Sequence, residues 1–115
     1  METWDLASLD VKPHQPEVLR SDPEARVIAI TLPAGEGLQE HQVHERAWIV
    51  VIDGDVELVG PDGASVTGGS GLLAHAAPNE RHVVRAISDS RLLLLLIPWP
   101  GEGHPSQRAA QEASS

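Results

Sequence analysis

The chain contains no cysteine. That single absence removes disulfides, thiolate metal ligands and cysteine nucleophiles, so any chemistry must come from other side chains. Phenylalanine and tyrosine are missing too, and three tryptophans are the only large aromatic side chains. A core must then be built from Val, Leu, Ile and Ala, and branched aliphatics suit a pleated sheet. Basic residues are scarce: eight Lys and Arg stand against 17 Asp and Glu, for a net charge of −9 with His neutral. A surface this acidic repels phosphate backbones, which argues against a nucleic-acid partner. Long apolar runs are also lacking. The longest, Leu92 to Pro98, falls far short of the ~20 residues needed to span a bilayer, so no membrane partner is expected. The opening METWDLASLD carries acids where a secretion signal needs basic residues and then an apolar stretch, and the expected location is the cytoplasm. No phosphate-cradling Gly-Lys loop, Rossmann fingerprint or Gly-x-Ser-x-Gly elbow occurs.

What the chain does have is a punctuated series of short apolar runs. At 115 residues it is one domain by size, and 41% apolar content is ordinary for a globular protein. Residues 1–25 are broken by Pro13, Pro16 and Pro23 and read as an N-terminal arm. Within it, DLASLDV could supply a short edge strand, or an arm packing Trp4 and Leu6 on a neighbour. From 26 to 99 the runs RVIAITL, LQEHQV, AWIVVI, DVELVG, SVT, LLAHAA, HVVRAI and RLLLLLI alternate with turn signals such as AGEG, DGD, PDGA and GGSG. Asp53-Gly54 between two strand-like runs predicts a hairpin with a primed turn. This spacing indicates an all-β sandwich or barrel. RLLLLLI shows no polar alternation, so both of its faces should be covered, one by the interior and the other by a second subunit. A homodimer follows as the expected assembly. Residues 100–115 turn polar and read as a frayed tail.

EHQVHERAWIVVIDGDV, residues 40–56, holds the most suggestive chemistry. HQVHE is reminiscent of zinc-protease helices, but those need a helix to bring their histidines to one face. AWIVVI follows at once and is strand sequence, which rules that arrangement out. In a regular strand residues two apart share a face, so Gln39, His41 and Val43 go together and His44 opposes them.

From Leu32 to Pro98 the sequence resembles the cupins. The first motif of that family is Gly, five residues, His-x-His, three or four residues, Glu, six residues, Gly; Gly35, His41 and Gly54 fall on it. The second is Gly, five residues, Pro-x-Gly, two residues, His. GLLAHAAPNERH supplies Gly71 and His82, with Pro78 one place late and Asn79 where Gly is usual. Asn tolerates left-handed backbone, so that turn can form. The resemblance implies a double-stranded β-helix, or jelly-roll, cupin barrel. It also implies a small-molecule ligand or substrate, dioxygenase- or isomerase-like chemistry, and a divalent transition metal (Fe, Mn, Ni or Zn). Of the four family ligand positions, His41 and His82 match, while Val43 and Ala47 occupy the other two. His44 could join through a β-bulge, or Gln39 through its amide oxygen. Three or fewer protein ligands would leave positions open for water or substrate. Two alternatives stay open: a metal-free enzyme with a histidine base, and a barrel that binds a ligand without chemistry. Arg81 is a pocket residue suited to an anionic substrate. Trp48 is core, a subunit contact or a stacking residue of the pocket. His75 reads as structural and able to face an interface, while Glu40, Glu45, His14 and His104 read as solvated.

Overall fold

The two most aliphatic runs of the chain find each other. RVIAITL lies in β2 (Ala25–Leu32) and RLLLLLI in β9 (Ser90–Ile97), and they pair antiparallel without interruption from Arg26↔Leu96 to Leu32↔Ser90. The other side of β9 is taken by β4 (Arg46–Asp53), which brings AWIVVI against the leucines. A computed structural model describes residues 1–41 and 45–97, giving the backbone alone for 39–41. Among the described residues there are nine strands and no helix. The remaining strands are β1 (Glu17–Asp22), β3 (Gly37–His41), β5 (Val56–Val59), β6 (Ser65–Gly68), β7 (Leu73–Ala76) and β8 (His82–Ala86). They form a five-stranded sheet, β1-β2-β9-β4-β7, and a four-stranded sheet, β3-β8-β5-β6, both antiparallel. Residues 98–115, which include the tail expected over 100–115, lie outside the described residues.

The hydrophobic core between the sheets is built of aliphatic side chains. Ile30, Leu32, Ile49, Val51 and Leu92 from one sheet meet Val56, Val84 and Ala86 from the other. Leu92, Val51, Val56 and Val84 are fully buried, each withdrawal from water stabilising by about 1.5–3 kcal/mol. Alternation along β9 sends Leu92, Leu94 and Leu96 to this interior. Leu93, Leu95 and Ile97 take the outer face, which is only half-buried within one chain.

Two local expectations differ from the structure. Asp53-Gly54 does turn with positive φ, 88° at Gly54, but it makes no hairpin. Both edges of β4 are already occupied, by β9 and β7, so β5 has no place beside it. The turn instead carries the chain across to the other sheet, where β5 pairs with β6 and β8. The 87–90 turn bolts it there: Ser88 Oγ accepts from the Asp55 amide at 2.9 Å, and the Ile87 amide donates to the Asp55 carbonyl at 2.8 Å. PDGA, by contrast, closes a true hairpin between β5 and β6, with Gly60 N donating to Ala64 O at 2.9 Å.

The arm differs as well. Its strand is β1, EVLRSD, and not DLASLDV. That earlier stretch makes a turn, with the Ser8 and Leu9 amides donating to Asp5 O, and it seats on its own barrel. Arg91 donates to the carbonyls of Leu6 and Leu9, and Thr31 Oγ1 donates to Val11 O at 2.6 Å, with Val11 buried.

The crossing turn yields a paired prediction. A Cβ at Gly54 would meet Asp89 O at 2.4 Å and Ser90 Cα at 2.7 Å, whereas one at Gly63, which shares a positive φ, meets nothing within 4 Å. In chemical denaturation Gly63→Ala should lose about 1 kcal/mol from backbone strain alone. Gly54→Ala should lose about 3 kcal/mol or more, because rigid backbone stands in the way. Equal losses would mean that the two turns are not bolted together as described.

Candidate functional site

Strand β3 enters the four-stranded sheet beside β8 in regular register, with Gly37↔Arg85 and Leu38↔Val84. Continued unchanged, that ladder would set Glu40 opposite His82. A β-bulge intervenes between Leu38 and His41, and His41 becomes the partner of His82. One extra residue thus exchanges an acid for a histidine at this position. The bulge expected between His41 and His44 falls on residues outside the described ones, and this one is a separate feature of β3. The side chains of Gln39 and His41, and His44 entirely, lie outside the described residues.

His82 is fully described. It alternates with Val84 and Ala86, both in the core, and is itself 8% exposed, so its ring faces the barrel interior. Its Nδ1 lies 3.2 Å from the Glu80 carbonyl oxygen. A carbonyl can only accept, so Nδ1 carries the proton and the basic lone pair of the neutral ring sits on Nε2. The loop that sets this geometry is PNER. Asn79 adopts φ 65°, the left-handed conformation for which the family pattern uses Gly, and Glu80 N donates to Ala77 O at 3.0 Å.

Two clefts meet at this ring. The larger, about 260 Å³, is lined by Val59, Gly60, Pro61, Gly63, Arg81, His82 and Val83. The smaller, about 100 Å³, reaches toward the barrel interior between Ile49, Leu58, Ala74, Ala76, Glu80 and Val84. His82 borders both, and Arg81 brings an exposed guanidinium side chain to the mouth of the larger. Ala47, at the family's carboxylate position, is buried with Ala76 and Leu96 in an apolar cluster and supplies no ligand. Among the described residues, no three His, Asp or Glu side chains come together in a way that could hold a metal ion.

Trp48 is not part of the pocket. Ala47 and Ile49 on either side point inward, so Trp48 takes the outer face of the five-stranded sheet. There it pairs with His75, the two ring centroids 4.5 Å apart and tilted by 50°. His75 takes that outer face by alternation, although the residue also borders the smaller cleft, and Arg46 Nη1 lies 3.0 Å from its Nε2. Reasoning from sequence did not pick out this Arg46–His75–Trp48 group. Its only signal was that AWIVVI and LLAHAA are neighbouring strands, which a sequence pattern does not reveal.

The tautomer of His82 can be checked directly. Long-range nitrogen–proton NMR correlation above pH 8 should show His82 protonated at Nδ1, with Nε2 carrying the lone pair. An Nε2-protonated ring would contradict the hydrogen bond to Glu80.

No protein-family model and no curated protein matches the sequence. Solved structures do resemble the fold. An RmlC-like cupin from Desulfovibrio desulfuricans superposes with a TM-score of 0.76 at 25% identity, covering 85% of this chain and 97% of that one. An RmlC-like cupin from Methanocaldococcus jannaschii, with a double-stranded β-helix fold, has a TM-score of 0.71 at 20% identity, covering 87% and 89%. KdgF from Halomonas sp. has a TM-score of 0.68 at 22% identity, covering 79% and 86%. The chain has the fold of the small RmlC-like cupins.

Proposed function

We propose that this barrel binds a small anionic molecule at the His82 wall, with a divalent transition metal held there by His41 and His82. One observation carries the reading: His82 is buried, and the Glu80 carbonyl fixes its proton on Nδ1. Metal-ligating histidines are oriented in this way, the second nitrogen being tied to a carbonyl or carboxylate. The β3–β8 register, which sets His41 opposite His82, supports a second ligand at the same place. His44 or Gln39 would be the third. The metal would supply Lewis-acid polarisation of a bound oxygen, the chemistry that isomerase- and dioxygenase-like reactions on small molecules draw on.

The chain's own residues have separable tasks. Arg81 is the charged side chain among those lining the larger cleft, and it suits a carboxylate or phosphate on the ligand. Val59 and Val83 give that cleft apolar walls, and Ala74 and Ala76 do the same for the smaller one, limiting the water around the bound molecule. Ala47 favours a second reading, a metal-free barrel that binds its ligand without chemistry, since the usual carboxylate has been replaced by a methyl group within an apolar cluster.

Elemental analysis separates the two. Protein grown with mixed trace metals should carry about one equivalent of a transition metal. His82→Ala and His41→Ala should each carry almost none while remaining folded by circular dichroism. Wild-type protein that stays metal-free under added Fe, Mn, Ni and Zn would select the second reading. In the same preparations malonate, as an anionic probe, should raise the melting temperature of the wild type and not of Arg81→Ala.

A further inference from the structure

The two clefts that meet at His82 differ in chemistry as well as in size. The larger, about 260 Å³, is bordered by Gly60, Pro61 and Gly63 of the β5–β6 hairpin and by the exposed Arg81. The smaller, about 100 Å³, has Ile49, Leu58, Ala74, Ala76 and Val84 among its walls. Ile49, Ala76 and Val84 are buried, and Leu58 and Ala74 pack against the core, so these walls belong to the core itself. Close-packed side chains of this kind yield little, which gives the inner cleft a fixed capacity. A molecule that fills both clefts is therefore polar at one end and hydrocarbon at the other.

Charge orients it. Glu80 borders the inner cleft, so a second negative charge there would meet a like charge as well as apolar walls. Arg81 borders the outer cleft and not the inner one. The anionic head thus belongs outside and the hydrocarbon inside, with the ring of His82 at the junction. The whole chain carries −9, which works against the approach of any anion. Contact with one exposed guanidinium contributes little under those conditions, so the buried hydrocarbon must supply most of the discrimination.

Volume sets the length. An apolar cavity of about 150 Å³ holds a benzene ring, so one of about 100 Å³ holds an alkyl chain of about four carbons. We propose that the molecule taken at the His82 wall is a small aliphatic carboxylate, with its head at Arg81 and an alkyl chain of about four carbons in the inner cleft, where Leu58 and Ala74 limit its length. This deepens the anion-binding reading above and rests on it, and it applies with or without a metal at His82.

The straight-chain series from acetate to octanoate tests the proposal, with affinity followed by amide chemical shifts of the protein as purified. The head group is constant, so the gain per carbon reports the inner cleft whatever holds the carboxylate. Each added carbon should tighten binding about fourfold, the factor for one buried methylene, as far as about hexanoate, and longer chains should gain nothing. Ala74→Val thickens the wall and should move that limit about two carbons shorter, whereas Leu58→Ala opens it and should move the limit about two carbons longer. Circular dichroism confirms folding of each. Arg81→Ala should weaken every member by a similar factor and leave the limit in place. Affinity that rises through octanoate without a limit, or a limit that neither wall variant moves, would overturn the inner cleft as the tail site. Malonate binding with no gain along the alkyl series would overturn this inference alone and leave the anion site standing. Protein that binds neither malonate nor any member of the series would overturn both.

Discussion

Strand β9 is held between β2 and β4, and the rest of the barrel depends on that double pairing. Its odd and even leucines do different work. Leu92, Leu94 and Leu96 complete a hydrophobic core that contains no Phe, Tyr or Trp, so close packing of branched side chains must supply the density that those residues give other cores. Leu93, Leu95 and Ile97 make the outer face apolar at the same time. Ser90, where the strand begins, lies directly against Gly54 in the turn that carries β4 into β5. One strand thus links the core, the passage between sheets and the outer surface.

The site belongs to the other sheet and is built by different means. There the controlling feature is a single bulged residue in β3, which decides whether an acid or a histidine stands opposite His82. The ring of His82 is positioned twice over, by burial beside Val84 and by the Glu80 carbonyl that the left-handed Asn79 turn brings within reach. The smaller cleft beside it has apolar walls, Ala74 and Ala76 among them. That combination sets a buried imidazole beside a modest cavity, a common requirement of metal ligands and proton acceptors.

Much of this was legible in the sequence, for physical reasons that also mark where legibility ended. Strands could be read because aliphatic runs were punctuated by Gly, Pro and Asp, and Asn79 behaved as its tolerance for positive φ suggests. The Asp53-Gly54 turn was misread as a hairpin because turn chemistry specifies local φ and says nothing about which strand edges are already occupied. β1 escaped notice because an edge strand among prolines needs little apolar patterning. Trp48 could not be assigned to a face from AWIVVI, since an unbroken apolar run leaves the register undetermined. The position of the β3 bulge was beyond reach for a related reason. Bulges answer to the partner strand, and a single strand's pattern does not contain the partner.

The central claim is that the bulge makes His41, and not Glu40, the register partner of His82. The absence of any cysteine makes a clean test available. A variant carrying both His41→Cys and His82→Cys would hold its only two thiols at this register pair, where opposed Cα atoms are about 4.5–5.5 Å apart and a disulfide can close. Mild oxidation followed by peptide mass mapping should show nearly complete intrachain linkage. A second variant pairing Glu40→Cys with His82→Cys should remain largely unlinked. The reverse result, ready linkage through position 40 and none through 41, would mean that the ladder continues without its bulge and that the histidine pair does not exist.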